Sequence, residues 1–251
     1  MIETDSARKV YNEDVVAVGD VSLTVEEGDF VSVLGPSGCG KSTLLFMLGG
    51  FIEPTSGTIT VNGEQVTEPD PSRGMVFQES VLFPWMTIKE NITWGMKVLG
   101  VDEDERDRTA EEYIEMIGLD GFQDAYPNSL SGGMKQRAAM ARVLAVNPAV
   151  LLMDEPFGAL DAQTREKMQH ELLDIWSQTG QTCVFVTHSI DEALYLSDKV
   201  VVLGSRPSSV EAVIDVGEHF DRPRAPEVRE SETFTDLRQQ IWDMIEDEVT
   251  V

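Results

Sequence analysis

Cysteine is nearly absent: Cys39 and Cys183 are the only ones in 251 residues, and they lie in unrelated contexts. No disulfide framework or thiolate metal cluster can be built from them, and a reducing compartment is expected. Basic residues are scarce as well, with 19 Lys and Arg against 45 Asp and Glu and a formal net charge of −26. Nucleic-acid binding depends on neutralising phosphates with cations, so this balance argues against DNA or RNA as a partner. Long apolar runs are missing too. The longest, such as Ala149 to Met153 and Val200 to Leu203, have strand length, far short of the roughly 20 residues of a membrane-spanning helix. Met1 to Lys9 carries Glu3 and Asp5 and no apolar core; no signal peptide is expected there, and a cytoplasmic protein is.

What is present is an ordinary 41% share of hydrophobic residues, enough for a substantial core at this length. Their regular spacing excludes disorder for most of the chain. Carboxylates spread along the whole sequence, with few lysines, suggest a halophilic surface whose self-repulsion salt would screen. Thermal unfolding that is no easier in dilute buffer than in molar KCl would remove that reading.

Segments Val15 to Val18, Val21 to Val25 and Phe30 to Leu34 predict strands, with Gly28-Asp29 as the turn before the last. Thr58 to Val61 followed by Asn62-Gly63 predicts a hairpin. From about Glu79 to Val146 the pattern becomes helical, clearest over Asp102 to Met116, and Asn147-Pro148 ends it. Strands at Val150 to Met153, Thr182 to Val186 and Lys199 to Leu203 then alternate with helices over about Gln163 to Gln178 and from Ile190. Such alternation implies a parallel sheet covered by helices. The acidic tail from about His219 carries Pro223 and Pro226 and ends in an amphipathic pattern, Phe234, Leu237, Ile241 and Ile245, expected to pack back on the body.

Chemistry concentrates in two motifs. Gly35-Pro36-Ser37-Gly38-Cys39-Gly40-Lys41-Ser42 lies between an apolar strand and a helix beginning at Thr43. Glycines let the backbone curl so that its amides face phosphate oxygens, the helix N-terminus adds a positive field, Lys41 supplies a full charge, and the Ser42 hydroxyl can ligate Mg²⁺. Gly35 to Thr43 are therefore candidate nucleotide contacts, Cys39 serving as a small filler. Leu151-Leu152-Met153-Asp154-Glu155 places two carboxylates at the C-terminal end of a buried strand, where open α/β sheets bind ligands. Asp154 is the candidate metal residue and Glu155 the candidate general base.

These motifs occur in several nucleotide-hydrolysing families. Leu130-Ser131-Gly132-Gly133-Met134-Lys135-Gln136-Arg137 separates them, because it closely resembles the signature sequence of ATP-binding-cassette (ABC) proteins. Ser131 opens a helix, so its hydroxyl and the Gly132 and Gly133 amides can meet a γ-phosphate. In that family the signature of one subunit closes on the ATP of another. The resemblance covers about Val10 to Pro207. It implies that Gln78 contacts Mg²⁺ and the attacking water, that Asp161 in Ala159-Leu160-Asp161 communicates across the dimer, that His188 contacts the γ-phosphate, and that Tyr11 stacks on adenine. The implied fold is an α/β P-loop ABC cassette: a RecA-like parallel core, an N-terminal antiparallel β subdomain and a helical signature subdomain inserted at about 79–146. The cassette is expected over 1–218 and the acidic tail over 219–251.

Met153 to Asp161, Thr187 to Ala193 and Asp124-Ala125-Tyr126-Pro127 look most like the nitrate, sulfonate and taurine importer group. That group implies ATP and Mg²⁺ as ligands, a second copy of the chain and membrane permease subunits as direct partners, a solute-binding protein as an indirect one, and a peripheral position at the cytoplasmic membrane face. Phe77 to Trp85 is similar to the importer surface that receives a permease helix, with Phe83 and Trp85 as expected exposed anchors. The alternatives are an importer of another small solute and a soluble, non-transport ABC ATPase.

Overall fold

The computed structural model describes residues 1–12, 14–222 and 224–249. Pro223, one of the prolines of the tail, lies outside the described residues. Elements follow in the order β1 (Ile2–Tyr11), β2 (Val15–Val25), β3 (Phe30–Leu34), α1 (Lys41–Leu48), β4 (Ser56–Val61), β5 (Glu64–Gln65), β6 (Arg73–Val76), α2 (Ile88–Val98) and α3 (Glu103–Met116). Then come α4 (Gly132–Leu144), β7 (Val150–Asp154), α5 (Ala162–Thr179), β8 (Thr182–Val186), α6 (Ile190–Leu196), β9 (Lys199–Leu203), β10 (Val210–Asp215) and α7 (Glu232–Val249), with short 3₁₀ turns at Pro127–Ser129 and Pro226–Glu230. Two units result: Met1–Arg73 with Val150–Asp154 and Gly180–Val251, and Gly74–Ala149 with Glu155–Thr179.

In the first unit, β3, β7 and β8 are buried at every position. Near-continuous apolar runs of this kind fit strands covered on both faces, and they pair in parallel as such strands do. Their order is β10-β9-β3-β8-β7, with Phe30 opposite Cys183 and Asp154 opposite Val186. Only β10 runs antiparallel in this group, at its edge beside β9. The register brings the C-terminal ends of β3, β8 and β7 side by side, so the chain leaving each strand emerges along one sheet edge. Both cysteines are free and buried.

A second sheet in this unit, β2-β1-β4-β5, is antiparallel throughout. Its hairpin turn uses Asn62 (φ 52°) and Gly63 (φ 79°), the pair of left-handed residues that a two-residue turn needs. The runs expected at Val15 to Val18 and Val21 to Val25 form one strand through Gly19. A Cβ there would sit 2.6 Å from the Ser208 carbonyl oxygen, whose bond to the Gly19 amide spans 2.8 Å. The parallel core and antiparallel sheet expected from the sequence are both present. The tail helix α7 packs on α6 and β9, burying Phe234, Leu237 and Ile241.

The second unit is mainly helical. Thr87 and Glu90 form a reciprocal capping box at the start of α2, worth about 1 kcal/mol. Asn91, fully buried, accepts from the Phe83 amide at 2.7 Å and donates to the Phe83, Met86 and Thr87 carbonyls. One amide side chain thus satisfies a loop that would otherwise bury unpaired backbone. That loop separates the two expected anchors. Trp85 is 68% exposed, whereas Phe83 is half-buried between Trp85 and Trp94, with centroids 5.6 and 5.7 Å away, under the Arg142 guanidinium at 5.1 Å.

Candidate nucleotide site

The phosphate loop leaves β3 at Leu34 and enters α1 at Lys41. Gly40 (φ 114°) is the N-cap residue of that helix, and a Cβ on it would meet the Ala17 carbonyl oxygen at 2.3 Å; glycine is required on both counts. Lys41, 7% exposed, donates to the carbonyls of Gly35 at 2.8 Å and Pro36 at 2.9 Å. Its charge is therefore held over the mouth of the loop by the loop itself. Cys39 points into the core at 1% exposure. Burial pushes its thiol up against the opposing pull of Lys41, so it stays a neutral filler rather than a reactive thiolate.

The Ser42 hydroxyl donates to Asp154 Oδ1 at 3.0 Å, joining the start of α1 to the end of β7. Asp154 is 3% exposed. A hydroxyl and a buried carboxylate this close form a hard-oxygen pair of the kind Mg²⁺ takes alongside water and substrate phosphate. The residues therefore fit Mg²⁺, and Ser42 and Asp154 are the pair that would hold it.

His188 follows β8, the strand between β3 and β7, and is exposed. The turn beneath it is fixed. Thr187 Oγ1 donates to Glu192 at 2.6 Å and accepts from the Ser189 amide at 3.0 Å, and Ser189 caps α6. Loop, Asp154 and His188 thus share one sheet edge within the first unit. Tyr11 lies at the end of β1, 37% exposed, so it is no core residue. It pairs with Val15, two residues from the Ala17 carbonyl that abuts Gly40, and Lys9 Nζ lies 5.5 Å over its ring.

The second unit holds the remaining candidates. Glu155 adopts φ 45°, a left-handed conformation that costs a non-glycine residue on the order of 1 kcal/mol or more, and accepts from Gln78 Nε2 at 3.1 Å. Ser131 caps α4, accepting from the Met134 amide at 3.3 Å. It is exposed together with Gly132, and a Cβ on Gly132 would meet nothing within 4 Å. Asp161 accepts from the Thr164 amide and hydroxyl at 3.0 and 2.7 Å. Those bonds, the amide first, hold its carboxyl below the usual range.

Gln136 escaped the sequence reading as a functional residue. It is 1% exposed and donates to the Phe77 carbonyl at 3.3 Å, one residue before Gln78. The signal was available: a long polar side chain on the inward face of α4, where apolar residues otherwise stand. Arg137 beside it donates to the Ile117 and Gly118 carbonyls; burial lowers its pKa, with Asp161 opposing.

Comparison with known proteins agrees. Residues 18–158 match the family described as ABC transporter. An uncharacterized ABC transporter ATP-binding protein of Methanocaldococcus jannaschii is 48% identical over 94% of this chain and 86% of its own length. A nitrate import ATP-binding protein of Synechocystis is 45% identical, covering 94% and 87%, and a taurine import ATP-binding protein of Roseobacter denitrificans is 44% identical, covering 94% and 88%. A solved dimeric, post-hydrolysis state of an ATP-binding cassette bound to ADP and Pi superposes with a TM-score of 0.77 at 33% identity, covering 86% of this chain and 99% of that one. Similarity of this extent excludes the other P-loop families: the chain belongs to the ABC transporter family, as one of its ATP-hydrolysing cassettes.

Proposed function

We propose that two copies of this chain act as the ATP-hydrolysing pair of an importer. They power uptake of a small anion, of the nitrate, sulfonate or taurine kind, through separate permease subunits served by a solute-binding protein. The observation that carries the pairing is Ser131. It caps an exposed helix start with two glycines, an anion site distinct from the phosphate loop with its own lysine and amides. A second copy supplies the phosphate it needs. The solved cassette described as dimeric supports this, and relatives named for nitrate and taurine import support the cargo class. No helix among the described residues is long and apolar enough to cross a membrane; in this reading Trp85 offers the permease an apolar anchor.

In this reading Lys41 and the loop amides bind the β- and γ-phosphates, and His188 and the partner's signature segment hold the γ-phosphate from other sides. Gln78 orients a water, and Glu155 takes its proton as the water oxygen bonds to the γ-phosphorus and the bond to the β-phosphate oxygen breaks, releasing ADP and phosphate. Ser42 and Asp154 would hold Mg²⁺, which would neutralise charge developing on the phosphate oxygens. The pair can drive the permease only through tighter ATP binding in its closed state.

With MgATP, Glu155→Gln should run as a dimer in size exclusion while turnover falls by about 10²-fold or more. A monomer at saturating ATP, or ordinary turnover, would remove the pairing or the base. For the cargo, cells lacking this chain should lose uptake of nitrate, taurine or an alkanesulfonate. Unchanged uptake of all three would refute the anion class and leave the ATPase standing.

A further inference from the structure

Arg222 and residues 224–241 are woven around α6 in a way that a merely packed tail does not need. Helix α6 has only seven residues, and its C-terminal carbonyls have no following turn to satisfy them. Arg224, 3% exposed, supplies the missing donors. Its Nη1 bonds the Leu194 carbonyl at 2.8 Å, Tyr195 at 3.3 Å and Ser197 at 2.5 Å, and the Tyr195 hydroxyl returns a bond to the Arg224 carbonyl at 3.3 Å. Arg222 adds the Leu196 carbonyl at 2.6 Å and Asp198 at 2.9 Å. A cation at a helix C-terminus is favourable, yet this one is costly. Two further guanidinium nitrogens of Arg224, Nε and Nη2, are buried without a partner, and burial, with Arg222 adding repulsion, lowers its pKa to about 10.

The same segment reaches the other end of α6. Arg238 on α7 lies 3.9 Å from Asp191 in the first turn, and α7 packs along α6. His188 stands immediately before that first turn, on the backbone locked by Thr187, Ser189 and Glu192. A short helix held at both ends moves as a body, and whatever sets its position sets the turn that carries the imidazole.

We propose that Arg222, Arg224 and α7 clamp α6 at both ends and thereby fix His188, with Arg224 as a positioning residue for ATP hydrolysis. The catalytic consequence rests on the γ-phosphate role proposed for His188; the mechanical link does not. Because the tail is the lever, displacing it would throttle turnover without touching the nucleotide grip.

The chain has three histidines, so its imidazole resonances can be assigned through single substitutions in the intact protein. Arg224→Met keeps volume and removes the donors. It should shift the His188 imidazole resonance, leave that of His170 in place, and lower kcat about tenfold with KM for ATP within about twofold. Arg224→Lys should restore part of both. An unmoved His188 resonance in a folded Arg224→Met would overturn the clamp, and a shifted resonance with an unchanged kcat would overturn its consequence for hydrolysis. Should Arg224→Met fail to fold, Arg238→Glu decides, since it sets an exposed repelling charge opposite Asp191. A shifted His188 resonance and a kcat lowered about twofold support the clamp, and their absence overturns it. If His188→Ala hydrolyses ATP normally, the role of His188 falls, while the resonance shift still tests the link.

Discussion

The two units carry their functional groups in opposite ways. In the first, Lys41 and Asp154 are buried, the loop is walled by Ala17, and Ser42 is already bonded to Asp154. In the second, Gln78, Ser131 and Asp161 are exposed, and Glu155 holds a strained left-handed conformation. Rigid burial suits a grip on phosphate, because preorganised donors need no rearrangement when charge arrives. Exposure suits groups that act only when another surface meets them. Under the proposed roles binding and chemistry should be separable: mutations of the buried phosphate grip and of the exposed groups should part, with His188 standing as the exposed group of the first unit.

The largest effects test that parting directly. Lys41→Ala should abolish measurable ATP binding by calorimetry, whereas Glu155→Gln should bind ATP about as well as the parent and lose turnover alone. Equal loss of binding in the two variants would break the comparison. Asp154→Asn comes next. An asparagine can still accept from Ser42 but carries no charge, so the Mg²⁺ concentration for half-maximal turnover should rise about tenfold or more. An unchanged Mg²⁺ titration would take Asp154 out of the metal role. Gln136→Leu sharpens the other side. It leaves the Phe77 carbonyl without its donor, a loss of about 1–3 kcal/mol, and should loosen Gln78. Hydrogen exchange at residues 77–79 should quicken and turnover should fall severalfold at unchanged ATP affinity. Protection there equal to the parent would cut the link from the signature helix to Gln78.

Legibility followed the same division. The strands at Phe30 to Leu34, Thr182 to Val186 and Lys199 to Leu203 were readable to the residue because buried parallel strands are uninterrupted apolar runs. β1 was not. Its burial alternates only at Ile2 and Thr4 before Ser6 turns left-handed (φ 48°), and the register slips between Asp5 and Arg8. β10, an edge strand with Val213 exposed, has too little apolar contrast to stand out. The candidate groups were legible because each motif is local: the loop, the acid pair after β7 and the serine cap each need only consecutive residues. Asn91 and Arg224 were not legible as partners, since each acts on backbone carbonyls that no sequence pattern marks; Gln136 stood out as a polar residue on an apolar helix face, but the Phe77 carbonyl it bonds did not. Phe83 shows the limit on side chains. Resemblance to the importer surface suggested two exposed anchors, and tertiary contacts with Trp94 and Arg142 half-bury one of them.

The smallest expected effect concerns the base of the rigid unit. Lys199 at the start of β9 bonds Asp29 at 2.7 Å, tying the turn before β3 to the neighbouring strand. The hydrogen bond that Lys199 donates to Asp29, ahead of the carboxylate's charge, raises the Lys199 pKa above the usual 10.5. A group whose pKa is raised on folding contributes stability that is fully present below the unfolded value and is lost as pH rises through the folded one. The pair should therefore stabilise the protein up to about pH 10 and fade above it, by no more than about 1 kcal/mol for groups this near the surface. Asp29→Asn isolates the term, because the asparagine oxygen can still accept from the Glu26 amide, now 3.1 Å from Asp29, and so preserve the turn. Urea unfolding at pH 8 should show the variant slightly less stable than the parent, and the gap should narrow as pH rises through the raised lysine pKa. A gap that stays constant across that range would assign the difference to the turn rather than to the charge pair.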